Sequence, residues 1–345
     1  MARAAAGDGT SGQRPLLASV VIPAYNAADT IGRCLRALSR QSLAAGSYEV
    51  IVVDDGSTDG TVAAAEASGA EVTVLRQQHV GPAAARNLGA GHARADIVLF
   101  TDADCVPAED WAEQLLAAFR DPEVVGAKGV YFGREGTLVE RFVQLEYEDK
   151  YERMARRRYI DFIDTYCAAY RRHVLLSVAG FDTSIMAGED QELSFRLAHA
   201  GYKMVFVPSA RVRHLGHTRS VYSYWRKKLK IGYWKVRVHD RHPDKLVSDS
   251  HTPQVMKLQI GLVALLGASA IGGLIVPAWR RAPAVLSLAF AATTVPFVRR
   301  AWAKQRSVAL AAPCLLFVRA LALGCGFALG LLDHLWPGGR RDARL

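Results

Sequence analysis

Two aspartates one residue apart, Asp102 and Asp104, follow the apolar run Ile97-Val-Leu-Phe100. On an extended backbone alternate side chains point the same way, so this pair presents two hard oxygen donors suited to Mg²⁺ or Mn²⁺ on a diphosphate. An acidic strand end also serves simply as a turn or helix cap. A second cluster, Asp54-Asp55-Gly56-Ser57-Thr58-Asp59, closes another apolar run. Its carboxylates can accept hydrogen bonds from a nucleobase and ribose, although Gly and Asx residues stop strands for structural reasons too. A third, Gly188-Glu189-Asp190, precedes Leu193 and Leu197 at helical spacing, where an Asp also fits as an N-cap.

The elements that must position these groups alternate. Ser19–Ile22 reads as a strand closed by Pro23, and Ile31, Leu35 and Leu38 mark the helix after it. Strands follow at 49–53, 72–75 and 96–100, with helices at 61–68 and 82–93 between them. Such alternation implies parallel βαβ units, in which ligands bind beyond the carboxyl ends of the strands. Three of those ends carry polar clusters: Tyr25 with Asn26, Asp54 with Asp55, and Asp102 with Asp104. Further on, 124–130 and 203–207 read as strands, and the amphipathic stretch 138–159 is placed near an acceptor. The head ends near Gly216.

The chain has 345 residues, a formal net charge of +10 and 50% hydrophobic residues, which excludes a disordered polyelectrolyte. Its apolar residues crowd the last quarter. Three spans are expected, at 260–279, 282–298 and 308–332, the last interrupted by Arg319, which either faces a lipid phosphate or snorkels. Two spans with a re-entrant middle segment are the alternative. Ahead of them, Ser220–Arg241 interleaves aromatic and basic residues and reads as an interfacial helix on anionic lipid, or else as a charged face packed on the head. Nucleic-acid binding is not expected, since the adjoining spans account for both the aromatics and the charge. Five scattered cysteines without a C-x-x-C pair point to a reducing compartment. The first 17 residues read as a disordered tail with no secretory h-region, which puts the head in the cytosol. The Arg299–Arg306 loop mildly favours that topology, while Arg340, Arg341 and Arg344 in the basic tail oppose it.

In chain order, Ser19-Val-Val-Ile-Pro-Ala-Tyr-Asn26, Val52-Val-Asp-Asp-Gly-Ser-Thr-Asp59, Gly81-Pro-Ala-Ala-Ala-Arg-Asn87, Phe100-Thr-Asp-Ala-Asp104, Gly180-Phe-Asp182 and Gly188-Glu-Asp-Gln-Glu-Leu193 resemble the family 2 glycosyltransferases. The resemblance covers the segment from Ser19 to Gly216. It implies an α/β GT-A fold, Rossmann-like with a mostly parallel sheet, followed here by a C-terminal helical membrane domain. By the same resemblance Pro23, Tyr25 and Asn26 line the base and ribose, Asp55 contacts them with Asp54 beside it, and Arg86 lies near the diphosphate. Asp104 is then the principal ligand of a divalent cation (Mg²⁺ or Mn²⁺), Asp102 lies nearer the ribose or also binds the ion, and His217 or His214 supplies a further ligand. Asp190 matches the catalytic base, with Glu189 as its acidic neighbour.

Two departures from the family pattern matter. Processive members carry Gln-x-x-Arg-Trp before their spans, whereas this chain has His217-Thr-Arg-Ser-Val-Tyr-Ser-Tyr-Trp-Arg226, and Cys167 stands where relatives often show Asn. The reading is a multi-pass plasma-membrane enzyme passing one sugar from a UDP- or GDP-sugar to a lipid-linked acceptor in cell-envelope or exopolysaccharide synthesis. The domains expected are 18–218 catalytic, 219–256 interfacial, 257–336 transmembrane and 337–345 a basic tail. A processive polysaccharide synthase and a non-catalytic nucleotide-binding membrane scaffold are the alternatives. A sugar-1-phosphate nucleotidyltransferase would want a Gly-rich, Lys-containing first loop, which Ile22-Pro-Ala-Tyr-Asn26 is not.

Overall fold

The computed structural model describes residues 15–133, 135–216, 218–246 and 249–335. His217, the basic tail and all but the end of the N-terminal tail lie outside them. The first half runs β1 (Ala18–Ala24), α1 (Ala28–Leu38), β2 (Tyr48–Asp54), α2 (Thr61–Glu66), β3 (Thr73–Arg76), α3 (Pro82–His92) and β4 (Ile97–Phe100). Helices cover both faces of β1 and β4, which is why these strands are apolar runs without alternation. Close approach of α3 depends on Gly89, where an added Cβ would lie 2.3 Å from Val21 Cγ1. β1 pairs in parallel with β2 on one side and β4 on the other. The winding therefore reverses there and leaves a crevice at the carboxyl ends of β1 and β4.

The second half adds β5 (Cys105–Pro107), α4 (Trp111–Ala117), β6 (Val124–Tyr131), α5 (Leu138–Met154), β7 (Ala168–Arg171), α6 (Arg172–Ser177), α7 (Glu189–His199) and β8 (Lys203–His214). The sheet order is β3-β2-β1-β4-β7-β6-β8-β5, with β7 antiparallel to both neighbours and β5 antiparallel to β8. Strands β5 and β7 were not legible in the sequence: each is only three or four residues long, and neither alternates. β8 also runs well past the expected Val207, through the exposed Arg211 and Arg213 to His214.

Beyond the head come α8 (Val221–Arg241), α9 (Gln254–Ile275), α10 (Ala282–Lys304) and α11 (Arg306–Leu335). The last three are long and apolar enough to cross a membrane. Helix α8 differs from the surface-lying helix expected at 219–256, because it is packed on both sides. Its Gly232 meets the Leu323 carbonyl of α11, while Gly326 and Gly330 of α11 meet the carbonyls of Leu229 and Tyr233. On the other side Trp234 and Val238 pack against Ile185 and Phe195 of the head. The apolar face of α8 is thus covered by protein.

Arg319 neither faces lipid nor snorkels. Only 6% exposed, it donates to Glu146 Oε1 of α5 at 2.8 Å and to Gln259 Oε1 of α9 at 2.7 Å. Glu146 also accepts from Tyr224 Oη at 2.8 Å and lies 3.3 Å from Lys228 Nζ. Burial opposes the charge on Glu146, but Lys228 and Arg319 outweigh it and hold this carboxyl down at about 2. A buried pair stripped of one partner loses roughly 3–5 kcal/mol. Arg319→Met should therefore lower the melting temperature of the purified protein by at least ~5 °C. An unchanged melting temperature in the single variant would show that this tie does not hold the head to the membrane helices.

Candidate active site

A cleft of about 510 Å³ opens at the ends of β1 and β4, lined by Pro23, Tyr25, Asn26, Asp55, Arg86 and Asp104 among others. Asn26 takes a left-handed backbone (φ 48°), which Asn tolerates. Its N–H donates to Ser57 Oγ at 2.9 Å and its Oδ1 accepts from Thr58 N–H at 2.9 Å, tying the β1 loop to the β2 loop. Asp54 is buried and accepts from Ser57 N–H at 3.3 Å, so it holds the turn and is not part of the cleft lining. Asp55 reaches the cleft, but its carboxylate already accepts from Gln77 Nε2 (2.7 Å), Val80 N–H (2.9 Å) and Gly81 N–H (2.9 Å) and lies 2.9 Å from His79 Nδ1. It thereby fixes the 77–81 loop, which sets the His79 ring on Tyr25 with centroids 4.0 Å apart. The Tyr25 ring, 46% exposed, makes with His79 an aromatic platform at the cleft mouth. His79 escaped sequence reasoning, since a single loop His carries no pattern.

Asp102 and Asp104 line the same cleft and converge with the Cys105 thiol, with candidate ligand atoms within 4.8 Å of one another. Burial, with the Asp102 and Asp104 charges, pushes the Cys105 thiol well up, so it stays protonated and makes a poor partner for a hard cation. Burial and then the Asp102 charge raise Asp104 to about 6. Two carboxylates that repel each other in a partly dry site are a donor set fit for a divalent ion. His214 Nε2 lies 3.3 Å from Asp104 Oδ2, while its Nδ1 accepts from Gly216 N–H at 2.9 Å. Burial, then Lys227, hold the ring neutral with a pKa of about 4. The remaining ring proton therefore sits on Nε2, the nitrogen that lies 3.3 Å from Asp104 Oδ2.

Arg86 is buried between the two halves of the site. Nη1 donates to Glu189 Oε1 at 2.8 Å and Nη2 to Asp102 Oδ1 at 3.0 Å, while its buried Nε has no partner among the described residues. Asp190, the next residue in α7, borders a cavity of about 340 Å³ that also contains Asp102. The N-cap of α7 is Gly188 with φ 93°, so Asp190 lies inside the first turn and does not serve as the cap. Its Oδ1 accepts from Gln191 N–H at 2.7 Å. Burial, then the Glu189 and Asp164 charges, push its carboxyl well above the usual range, with Arg86 pulling the other way.

The cavity is walled by α5, whose Val143, Glu146, Tyr147 and Lys150 recur at helical spacing on one face. Sequence reasoning placed this helix near the acceptor without naming those residues. It also missed the fully buried Lys128, which pairs with Asp164 and donates to Tyr166 Oη at 3.1 Å. Cys167 lies outside the cavity. Buried in the core, its Sγ accepts from Trp111 Nε1 at 3.1 Å, so its departure from Asn concerns packing.

Residues 19–178 match the family described as glycosyl transferase family 2. The chain carries a family 2 glycosyltransferase domain. By that domain it is a glycosyltransferase that depends on a nucleotide sugar. Glycosyltransferase AglE of Haloferax volcanii is 28% identical over 228 residues, covering 64% of this chain and 73% of its own length. The pre-mycofactocin glycosyltransferase of Mycobacterium tuberculosis is 33% identical over 236 residues, 66% of this chain and 48% of its own. This chain thus spans about half of that second relative. The mannosyltransferase PcManGT of Pyrobaculum calidifontis, solved with GDP-Man and Mn²⁺, superposes with a TM-score of 0.58 at 22% identity, covering 93% of this chain and 88% of that one. That likeness establishes the GT-A-like fold of this glycosyltransferase.

Because Asp55 holds two backbone N–H groups, Asp55→Ala frees that of the exposed Val80 and leaves the buried Gly81 donor unsatisfied at about 1–3 kcal/mol. Amide hydrogen exchange at Val80 and Gly81 should accelerate at least tenfold in that variant, with exchange in β1 unchanged. Unaltered protection would show that the loop stands without Asp55.

Proposed function

We propose that this glycosyltransferase passes a single sugar from a UDP- or GDP-sugar to a lipid-linked acceptor at the membrane, in cell-envelope or exopolysaccharide synthesis. The observation that carries this reading is that the nucleotide-sized cleft and the Asp190 cavity meet at Asp102. The base stacks on Tyr25 and His79, with Pro23 and Asn26 beside the ribose and Asp55 and Asp54 holding the loops around it. Arg86, through its unpartnered Nε, lies beside the diphosphate. Asp104 and Asp102 hold a divalent cation, Mg²⁺ or Mn²⁺, which when bound neutralises charge developing on the leaving diphosphate. His217 lies outside the described residues, and its part as a further ligand stays a proposal from the sequence.

The acceptor hydroxyl oxygen attacks the anomeric carbon from the Asp190 side. A new C–O bond forms as the bond to the β-phosphate oxygen breaks, the electron pair leaves with the nucleoside diphosphate, and the hydroxyl proton passes to Asp190. One displacement inverts the anomeric configuration. Glu189 supports the base by its charge and by anchoring Arg86. We assign residues 18–218 to catalysis, 219–256 to the connection and 257–336 to the membrane, with the head on the cytoplasmic side. Ion pairs of Lys304 with Glu148 (2.7 Å) and of Arg300 with Asp149 support this, because they hold the positive α10–α11 turn against the head.

Full-length protein in nanodiscs, given UDP- and GDP-sugars and a polyprenyl-linked saccharide, should release nucleoside diphosphate and label the lipid. Chelation with EDTA should abolish both. Asp190→Asn should lower kcat by about 10²–10⁴ with donor affinity within about twofold. Nucleotide binding with no transfer to any acceptor, in wild type and variant alike, would instead support the scaffold.

The raised carboxyl of Asp190 sets a pH dependence. Asp190 accepts a proton only when ionised, so kcat/KM falls as pH drops through its raised pKa. Glu189→Gln removes a charge that raises this pKa and should move the acid limb to lower pH. A limb that stays in place would assign it to another group.

A further inference from the structure

The Asp190 cavity does not end at the catalytic carboxylates. Past α5 it reaches Lys150, Lys228 and Lys235, and Lys235 also lines an apolar groove of about 320 Å³ between α8, α9 and α11. Leu246, Met256, Ile260, Leu323 and Phe327 form the walls of that groove, with Ile260 and Leu323 on helices able to cross a membrane. The open space is thus ordered: apolar groove, lysines, Asp190, then the donor cleft beyond Asp102.

The lysines carry more positive charge than their surroundings balance. Glu146 serves Lys228 but is shared with Arg319 and Tyr224. Asp164 pairs with Lys128, and Asp149 with Arg153 and Arg300. Lys150 Nζ lies 2.8 Å from His251 Nε2 and 4.9 Å from the Tyr147 ring centroid, and Lys235 Nζ lies 3.5 Å from Thr252 Oγ1. Neither has a carboxylate within ion-pair distance among the described residues. Burial depresses all three ammonium groups, Lys150 to about 7, with neighbouring cations contributing and nearby carboxylates opposing. Burial pushes His251 well down, so it adds no charge and can act as an acceptor. Half-buried cations kept beside an enzyme cavity call for an anion from outside.

We propose that Lys150, Lys228 and Lys235 hold the phosphate or diphosphate of a lipid-linked sugar acceptor whose tail lies in the α8–α9–α11 groove. This rests on the proposed transfer to a lipid-linked acceptor and names the part of it that is recognised. Tail, phosphate and sugar hydroxyl follow one another in such a molecule in the same order as groove, lysines and Asp190. Only the phosphate matches the charge at the junction.

The test is equilibrium binding to full-length protein in phosphatidylcholine nanodiscs, with three probes: a polyprenyl diphosphate-linked monosaccharide, the same sugar linked to polyprenol without phosphate, and inorganic diphosphate. The first should bind at least tenfold more tightly than either of the others. Lys150→Gln and Lys235→Gln should each weaken it about tenfold, the loss of one charge-assisted hydrogen bond. Arg226→Gln, which removes an exposed charge from α8 outside the cavity, should leave it within about twofold. GDP and UDP binding in the lysine variants, unchanged from wild type, would show that the head is still folded.

Equal binding of the phosphate-free lipid, or affinity indifferent to both lysines, would overturn the inference. So would inorganic diphosphate binding as tightly as the lipid, which would make the site one for a soluble anion. The two readings fail differently. Sugar transfer to a neutral membrane acceptor, undiminished in the lysine variants, would refute the phosphate site and leave the transferase reading standing. Lysine-dependent lipid binding without transfer from any donor would refute the transferase reading alone.

Discussion

One buried guanidinium joins the two sides of the site. Asp102 and Asp104 follow β4, Glu189 and Asp190 begin α7, and Arg86 bridges the two groups from α3. Without a cation between them, four carboxylates from two elements would repel in a medium that screens them poorly. With it, Asp102 and Glu189 are each hydrogen-bonded at fixed positions, and Asp190 and Asp104 are left as the groups displaced upward. The tie also reaches Asp102, the residue the donor cleft and the cavity have in common. Separation of donor and acceptor functions in the chain is thereby compatible with their contact in space.

A second buried arginine does for the helical part what Arg86 does for the sheet. Arg319 lies inside an apolar helix, yet it points at Glu146 of the head and Gln259 of α9. The carboxylate it meets belongs to the helix that walls the cavity, so the membrane helices and the cavity wall are set by one network. Close backbone contacts at Gly232, Gly326 and Gly330 let α8 lie against α11 and bring its lysines over that cavity. The basic character of α8 serves the interior as well as the surface.

Much of the nucleotide half could be read from the chain. Apolar runs ending in polar clusters mark β1, β2 and β4, and a parallel sheet brings such ends together whatever the details of packing. The residues around the ends divide by what their side chains already bond. Asn26 and Asp54 hold loops, Asp55 holds the loop that carries His79, and Asp102, tied to Arg86, faces the cleft with Asp104. That division depends on which backbone N–H groups come within reach, and composition does not record it. The short β7, the extension of β8 and the place of Cys167 beside Trp111 were hidden for the same reason. Each is settled by neighbours distant in sequence.

The kinds of group available, their order along a βαβ head, and the three apolar helices after it follow from the chain alone, because hydrophobic periodicity and turn chemistry are local. That Lys150, Lys228 and Lys235 share a cavity with Asp190, that Arg319 meets Glu146, and that His214 lies beside Asp104 came from the folded arrangement alone. Those outcomes depend on desolvation and on charges from distant elements, which act through space.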